Sequence, residues 1–273
     1  MEVLTNNNIK DAVNLWCDYE DQANDFFGHI SEWDVSRVTD MSNLFEDKID
    51  FNEDISKWDV SNVTNMCNMF SSAESFDQSL CCWDVSNVTN MNYMFNWAKS
   101  FNQPLNNWDV SNVTNMNGMF AVAKSFNQPL NDWDVSNVLN MYRMFDNAIE
   151  FNQPLNNWDV SNVTNMSGMF ESAESFNDNE ISSWIINDNC IISDMFKNSS
   201  IKREDIENKN YGNKIASYFK LPLPNPKTND ELEKIKIERI KSNIRILEEN
   251  KNLPILCDDV EIIIKDFLIK TKY

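Results

Sequence analysis

Glycine and histidine are nearly absent, with 4 and 1 respectively in 273 residues. So little glycine rules out collagen-type repeats and gives no support to a glycine-rich phosphate loop. The single imidazole, His29, sits in the run FFGHI and reads as a packing residue; a Cys/His zinc site or a Cys–His dyad would have to be built on it alone. The 6 cysteines form no CxxC pair, and the adjacent Cys81 and Cys82 are of a kind that rarely bridge, so reduced thiols are expected. No apolar run reaches the ~18 residues that suggest a membrane helix. The opening, MEVLTNNNIK, has no apolar core of a secretory signal. A cytoplasmic location without membrane insertion is therefore the expectation. Cations are also short: 23 Lys and Arg face 43 Asp and Glu, a net charge of −20. Such a surface repels phosphate backbones and anionic lipids, which excludes nucleic acid and membrane as expected ligands. It favours a basic protein partner. Nucleophile elbow, phosphate loop and metal-protease motif are all missing, so the reading is a non-enzyme with no cofactor and no metal.

What the chain has instead is a repeat. Trp33, Trp58, Trp83, Trp108, Trp133 and Trp158 recur at a step of 25, with Trp184 one residue late. Phe26, Phe51, Phe76, Phe101, Phe126, Phe151 and Phe176 keep the same step, as do a Met series from Met41 to Met166 and a second Phe series from Phe45 to Phe196. A fixed period of this length signals stacked units that bury their apolar faces against one another. Seven units fit. In the unit starting at Phe101, Leu105, Trp108 and Val110 match a strand signature, and Met116, Met119, Phe120 and Ala123 fall at i, i+3, i+4 and i+7. Thr114 stands where a helix N-cap would. The expected fold is an α/β repeat solenoid, a leucine-rich-repeat-like stack of strand–turn–helix coils with helical N- and C-terminal caps. Its parts are an N-terminal capping helix over 1–25, the repeats over 26–200, and a helical C-terminal region over 201–273. The last region is lysine- and isoleucine-rich at a net charge of +2, against −22 for residues 1–200.

The recurrent F-N-Q-P-L-x-x-W-D-V-S-N-V-T-N-M-x-x-M-F closely resembles the BspA-like leucine-rich repeat family over about Phe26–Asn198. That family is abundant in Mycoplasma surface lipoproteins and occurs in other bacteria, protists and large DNA viruses. The resemblance implies adhesion or protein binding and no catalysis. The sequence departs from the surface lipoproteins in lacking a signal peptide and lipobox. Its Asn- and Ile-rich composition looks like that of an AT-rich genome, viral or protist.

The aspartates at 34, 59, 84, 109, 134 and 159 form a polar ladder with two readings. Each accepts hydrogen bonds from the amides of its own D-V-S-N turn, or the row holds cations. The Asn at 62 and its successors, and at 65 and its successors, read as turn residues. Binding is sought where repeats differ: Asn107 and Asp132 before the Trp, and Tyr93, Trp97, Tyr142 and Arg143 on the Met side.

Three functions follow. The first is a protein-interaction scaffold. The second is a ubiquitin-ligase substrate adaptor, because NLPILCDDVEIIIKDFL (252–268) looks like the start of an F-box. The third is a cation-dependent adhesin.

Overall fold

A computed structural model describes residues 3–177, 181, 184–202, 215, 218 and 219. The chain divides into two units, Met1–Leu223 and Pro224–Tyr273. The second unit, with the F-box-like stretch and most of the helical region expected over 201–273, lies outside the described residues.

The N-terminal stretch folds as α1 (Ile9–Asp18) and α2 (Glu20–Phe27), followed by a 3-10 turn, Ile30–Glu32. Helix α1 buries Ile9, Ala12, Val13 and Trp16, a stripe set by helical spacing. The Trp33 ring is met edge-on by Trp16 at 5.9 Å and by Phe27 at 5.7 Å. Phe26 does not begin a core ladder as its spacing predicts: it lies on α2 and is 62% exposed.

The expected α/β solenoid of strands and helices is not what the repeats build. From Trp33 to Asn177 there is no helix and no strand. Each coil gives one residue to a parallel bridge, from Asp40↔Asn65 through Asn90, Asn115, Asn140 and Asn165 to Ile191. The reason lies in where the amides point. In the supposed helix, the N–H groups of Met116, Gly118, Phe120 and Val122 donate to Asn140, Tyr142, Met144 and Asp146 of the next coil, at 2.7–3.0 Å. Those of Met119, Ala121 and Ala123 close tight turns three residues back. An α-helix needs the N–H at i to reach the carbonyl at i−4, and here every second donor is taken by the neighbouring coil. Positive φ at Gly118 (59°) and Val122 (60°) bends the chain back after each four residues. The same pair of left-handed corners recurs at Asn68 and Ser72, Tyr93 and Trp97, Arg143 and Asn147, and Gly168 and Ser172. The supposed strand fails likewise, because turns join Leu105 to Trp108 (3.1 Å) and Val110 to Val113 (2.9 Å). Thr114 caps no helix: its N–H and hydroxyl both donate to the Thr89 carbonyl.

The apolar ladders do pile in register. Rings of the series Phe45 to Phe196 stand 5.3–5.8 Å apart, nearly parallel. Those from Phe51 to Phe176 stand 5.8–6.1 Å apart. The two series touch within each coil, as at Phe70–Phe76, 4.1 Å. Each buried Phe contributes ~1.5–3 kcal/mol by area. The indoles add a polar stitch. Each Nε1–H from Trp58 to Trp158 donates to the backbone carbonyl 28 residues earlier, at 2.8–3.2 Å.

Candidate interaction surface

Most repeated polar residues are consumed by the stack itself. Each ladder aspartate, Asp34 to Asp159, accepts the N–H of the serine two residues on at 3.0–3.1 Å. At Asp34 and Asp84 the serine hydroxyl and amide hold the carboxyl below the usual range. Asn62, Asn87, Asn112, Asn137 and Asn162 donate to a serine carbonyl of the preceding coil. Asn52, Asp77, Asn102, Asn127 and Asn152 each accept the N–H of the residue 25 positions later. These side chains tie coil to coil, and the series from Asn62 does more than shape the turn that its sequence position suggested.

The six candidate residues fall on two segments of the coil. Asn107 and Asp132 are exposed at the tips of the turns that end at Trp108 and Trp133. Tyr93, Trp97, Tyr142 and Arg143 lie on the doubly bent segment after the bridge residue. Three of these four occupy left-handed corners, at φ 54° for Tyr93, 59° for Trp97 and 52° for Arg143. Bulky residues are uncommon there.

Packing decides which of them are available. The Tyr93 ring lies over Gly118, where an added Cβ would meet its Cε1 at 2.2 Å. Tyr93 is therefore half-buried and committed to its neighbour. Arg143 leans over Gly168 in the same way. Its guanidinium meets Asp146 at 3.4 Å and Glu171 at 3.5 Å and lies over the Tyr142 ring at 5.4 Å. Glu171 also binds Lys197 at 2.8 Å. Burial pushes the Asp146 carboxyl up, with Arg143 pulling against it. Trp97 is the open aromatic, 45% exposed, with the Lys99 ammonium 5.1 Å from its ring and Lys99 paired to Glu74 at 2.6 Å. The result is two clusters of aromatic and charged groups, one around Trp97 and one around Arg143, each held by its own ion pairs.

Spacing alone missed two features. Leu139 replaces the threonine of the V-T-N motif and is 49% exposed. Ile191, whose N–H makes the same inter-coil bond two coils on, is 55% exposed. The break from V-T-N to V-L-N was the readable signal. The other feature is a cleft of about 410 Å³ lined by Trp16–Asp18, Glu20 and residues 47–53. Its wall carries Asp18, Glu20, Asp47, Asp50 and Glu53 against the single Lys48, which sits 3.9 Å from Asp18. No sequence repeat marks it, because two unrelated segments form it. Among the described residues there is no group of three or more His, Cys, Asp or Glu side chains able to hold a metal. No described helix is long and apolar enough to cross a membrane.

A family model described as "Mycoplasma protein of unknown function, DUF285" matches residues 18–120 and again 103–210. Together the matches span more than half of the chain. Comparison with curated proteins and with solved structures gives no match.

Proposed function

The chain belongs to the DUF285 family of Mycoplasma proteins of unknown function, and on that premise we propose that it is a non-enzymatic scaffold which binds a basic protein through the variable faces of its coils. One observation carries this reading: residues repeated in every coil are spent on core and inter-coil bonds, and the residues that differ include the exposed Trp97, Leu139 and Arg143 and the half-buried Tyr142. Exposed aromatics flanked by fixed charges are the usual anchors of an interface. The net charge of −20 favours encounter with a basic partner. The likeness to BspA-like repeats supports the same binding role, here without the strand-and-helix architecture of leucine-rich repeats. The thiols of Cys17, Cys67, Cys81 and Cys82 are free, which accords with a reducing, cytosol-like compartment, the location we infer.

The test compares capture by the wild-type chain with capture by a Trp97→Ala/Tyr142→Ala variant, both immobilised and exposed to source cell extract at low salt. Proteins bound by the wild type should be lost from the variant and should be basic. Retention of the same proteins by a variant with an unchanged melting temperature would remove these positions from consideration.

A further inference from the structure

The turn from Leu80 to Trp83 differs chemically from its counterparts. The Trp83 N–H closes it on the Leu80 carbonyl at 3.1 Å, and its two tip residues are Cys81 and Cys82. Neighbouring coils carry Ser56–Lys57, Asn106–Asn107, Asn131–Asp132 and Asn156–Asn157 at this place. Both cysteines are exposed, with their sulfurs 3.6 Å apart. A second substitution accompanies them. The position held by proline at 104, 129 and 154 is Ser79 in this coil, and its hydroxyl donates to Cys81 Sγ at 3.3 Å. Proline has no such donor. The other described thiols are differently placed: burial pushes the Cys17 thiol up to about 11, Cys67 is half-buried and also raised by burial, and Cys190 is buried.

We propose that Cys81 and Cys82 form a thiol–disulfide exchange site for low-molecular-weight disulfides of the glutathione type, with Cys81 attacking and Cys82 resolving. The Cys81 thiolate attacks one sulfur of glutathione disulfide; that S–S bond breaks, one glutathione leaves with the electron pair as thiolate, and a mixed disulfide forms on Cys81. Cys82 then gives its proton to solvent and attacks Cys81 Sγ, expelling the second glutathione as thiolate and leaving a Cys81–Cys82 disulfide. The pair of cysteines is oxidised by two electrons, and the glutathione disulfide is reduced by the same two. The roles follow from the hydrogen bonds. The Ser79 hydroxyl donates to Cys81 and, with the neighbouring Cys82 sulfur, holds the Cys81 thiol below the usual range, while the contact with Cys81 pushes Cys82 up. A larger thiolate fraction marks the attacking sulfur. Once Cys81 is capped, that effect on Cys82 is relieved. The product ring spans consecutive Cα atoms about 3.8 Å apart across a trans peptide, short of the ~4.4 Å at which disulfides ordinarily begin. Such a bond is strained and readily reopened by thiols, which suits a reversible sensor better than a staple.

The full-length protein is equilibrated with graded mixtures of reduced and oxidised glutathione and read by mass spectrometry with peptide mapping. The wild type should lose two hydrogens at the Cys81–Cys82 peptide, reversibly on adding dithiothreitol, without retaining glutathione. Cys82→Ser should accumulate glutathione on Cys81. Cys81→Ser should be modified at Cys82 more slowly, and Ser79→Pro placed in Cys82→Ser should slow capping of Cys81. Thermal melts confirm that each variant is folded. Lasting glutathione on wild-type Cys81, equal rates for the two single variants, or an unmodified pair in folded protein that reacts once denatured would each overturn the assignment.

Discussion

Individual residues in this stack are judged by the neighbour 25 positions away. Gly118 combines φ 59° with a Tyr93 ring where its Cβ would stand. Gly118→Ala is expected to cost about 1–3 kcal/mol, from left-handed strain and displacement of the ring. Thermal melts of Gly118→Ala, Tyr93→Ala and the double variant check this: the double variant should relieve the clash and keep the backbone cost. The indole stitch is tested in the same coil. The Leu80 carbonyl accepts both the Trp83 N–H that closes its turn and Trp108 Nε1–H at 3.0 Å. Trp108→Phe should therefore lose about 1–3 kcal/mol from one hydrogen bond and lost packing, with the denaturation midpoint as the measurement.

At the scale of the element, the unit is the turn, and its carboxylates bring a pH dependence. Asp34, Asp54 and Asp84 are hydrogen-bonded by serines, and their folded-state pKa values are depressed. A depressed carboxylate pKa gives stability that is complete above the ordinary carboxylate range and is lost as pH falls through the folded-state value. Acid titration of Tm should show this loss. Replacing the three by Asn, which keeps the side-chain oxygen acceptor, should flatten the curve in that window. The turn also explains what was legible in the sequence and what was misread. Met116, Met119, Phe120 and Ala123 are all buried, as their spacing requires. Two tandem four-residue turns place residues inward at the same intervals as a helix does, so the apolar pattern identified the buried face but not the backbone path. Non-glycine residues at the left-handed corners, such as Tyr93, Trp97 and Arg143, hid the signal that glycine would have given. Circular dichroism should register the difference, with weak helical ellipticity from the repeats.

For the molecule as a whole, each coil is bonded mainly to the one before and the one after it. Stability in such an array is close to a sum of coil and interface terms. Removing Phe101–Ser125 joins Ser100 to Phe126 in unchanged register, so that deletion should fold with a lower Tm. Removing 101–112 alone shifts the remaining rungs out of register and should abolish cooperative melting. Tryptophan fluorescence during heating distinguishes the two. The Arg143 cluster belongs to this scale too, because Arg143 and Glu171 come from different coils and meet only through stacking.

By itself the sequence determined the period, the residues facing inward and the in-register piling of Trp and Phe, since identical apolar side chains at a constant step can all be buried only by repeating the same placement. It left two readings for the ladder aspartates, and the structure shows each accepting the serine amide two residues on. Only the tertiary structure decided that the backbone would run in turns, that Tyr93 would be spent on Gly118 and Arg143 on Asp146 and Glu171, and that Leu139 and Trp97 would stay open. The reason is that amide hydrogen bonds here are exchanged between coils. A donor's partner 24 or 25 residues away leaves no trace in local spacing.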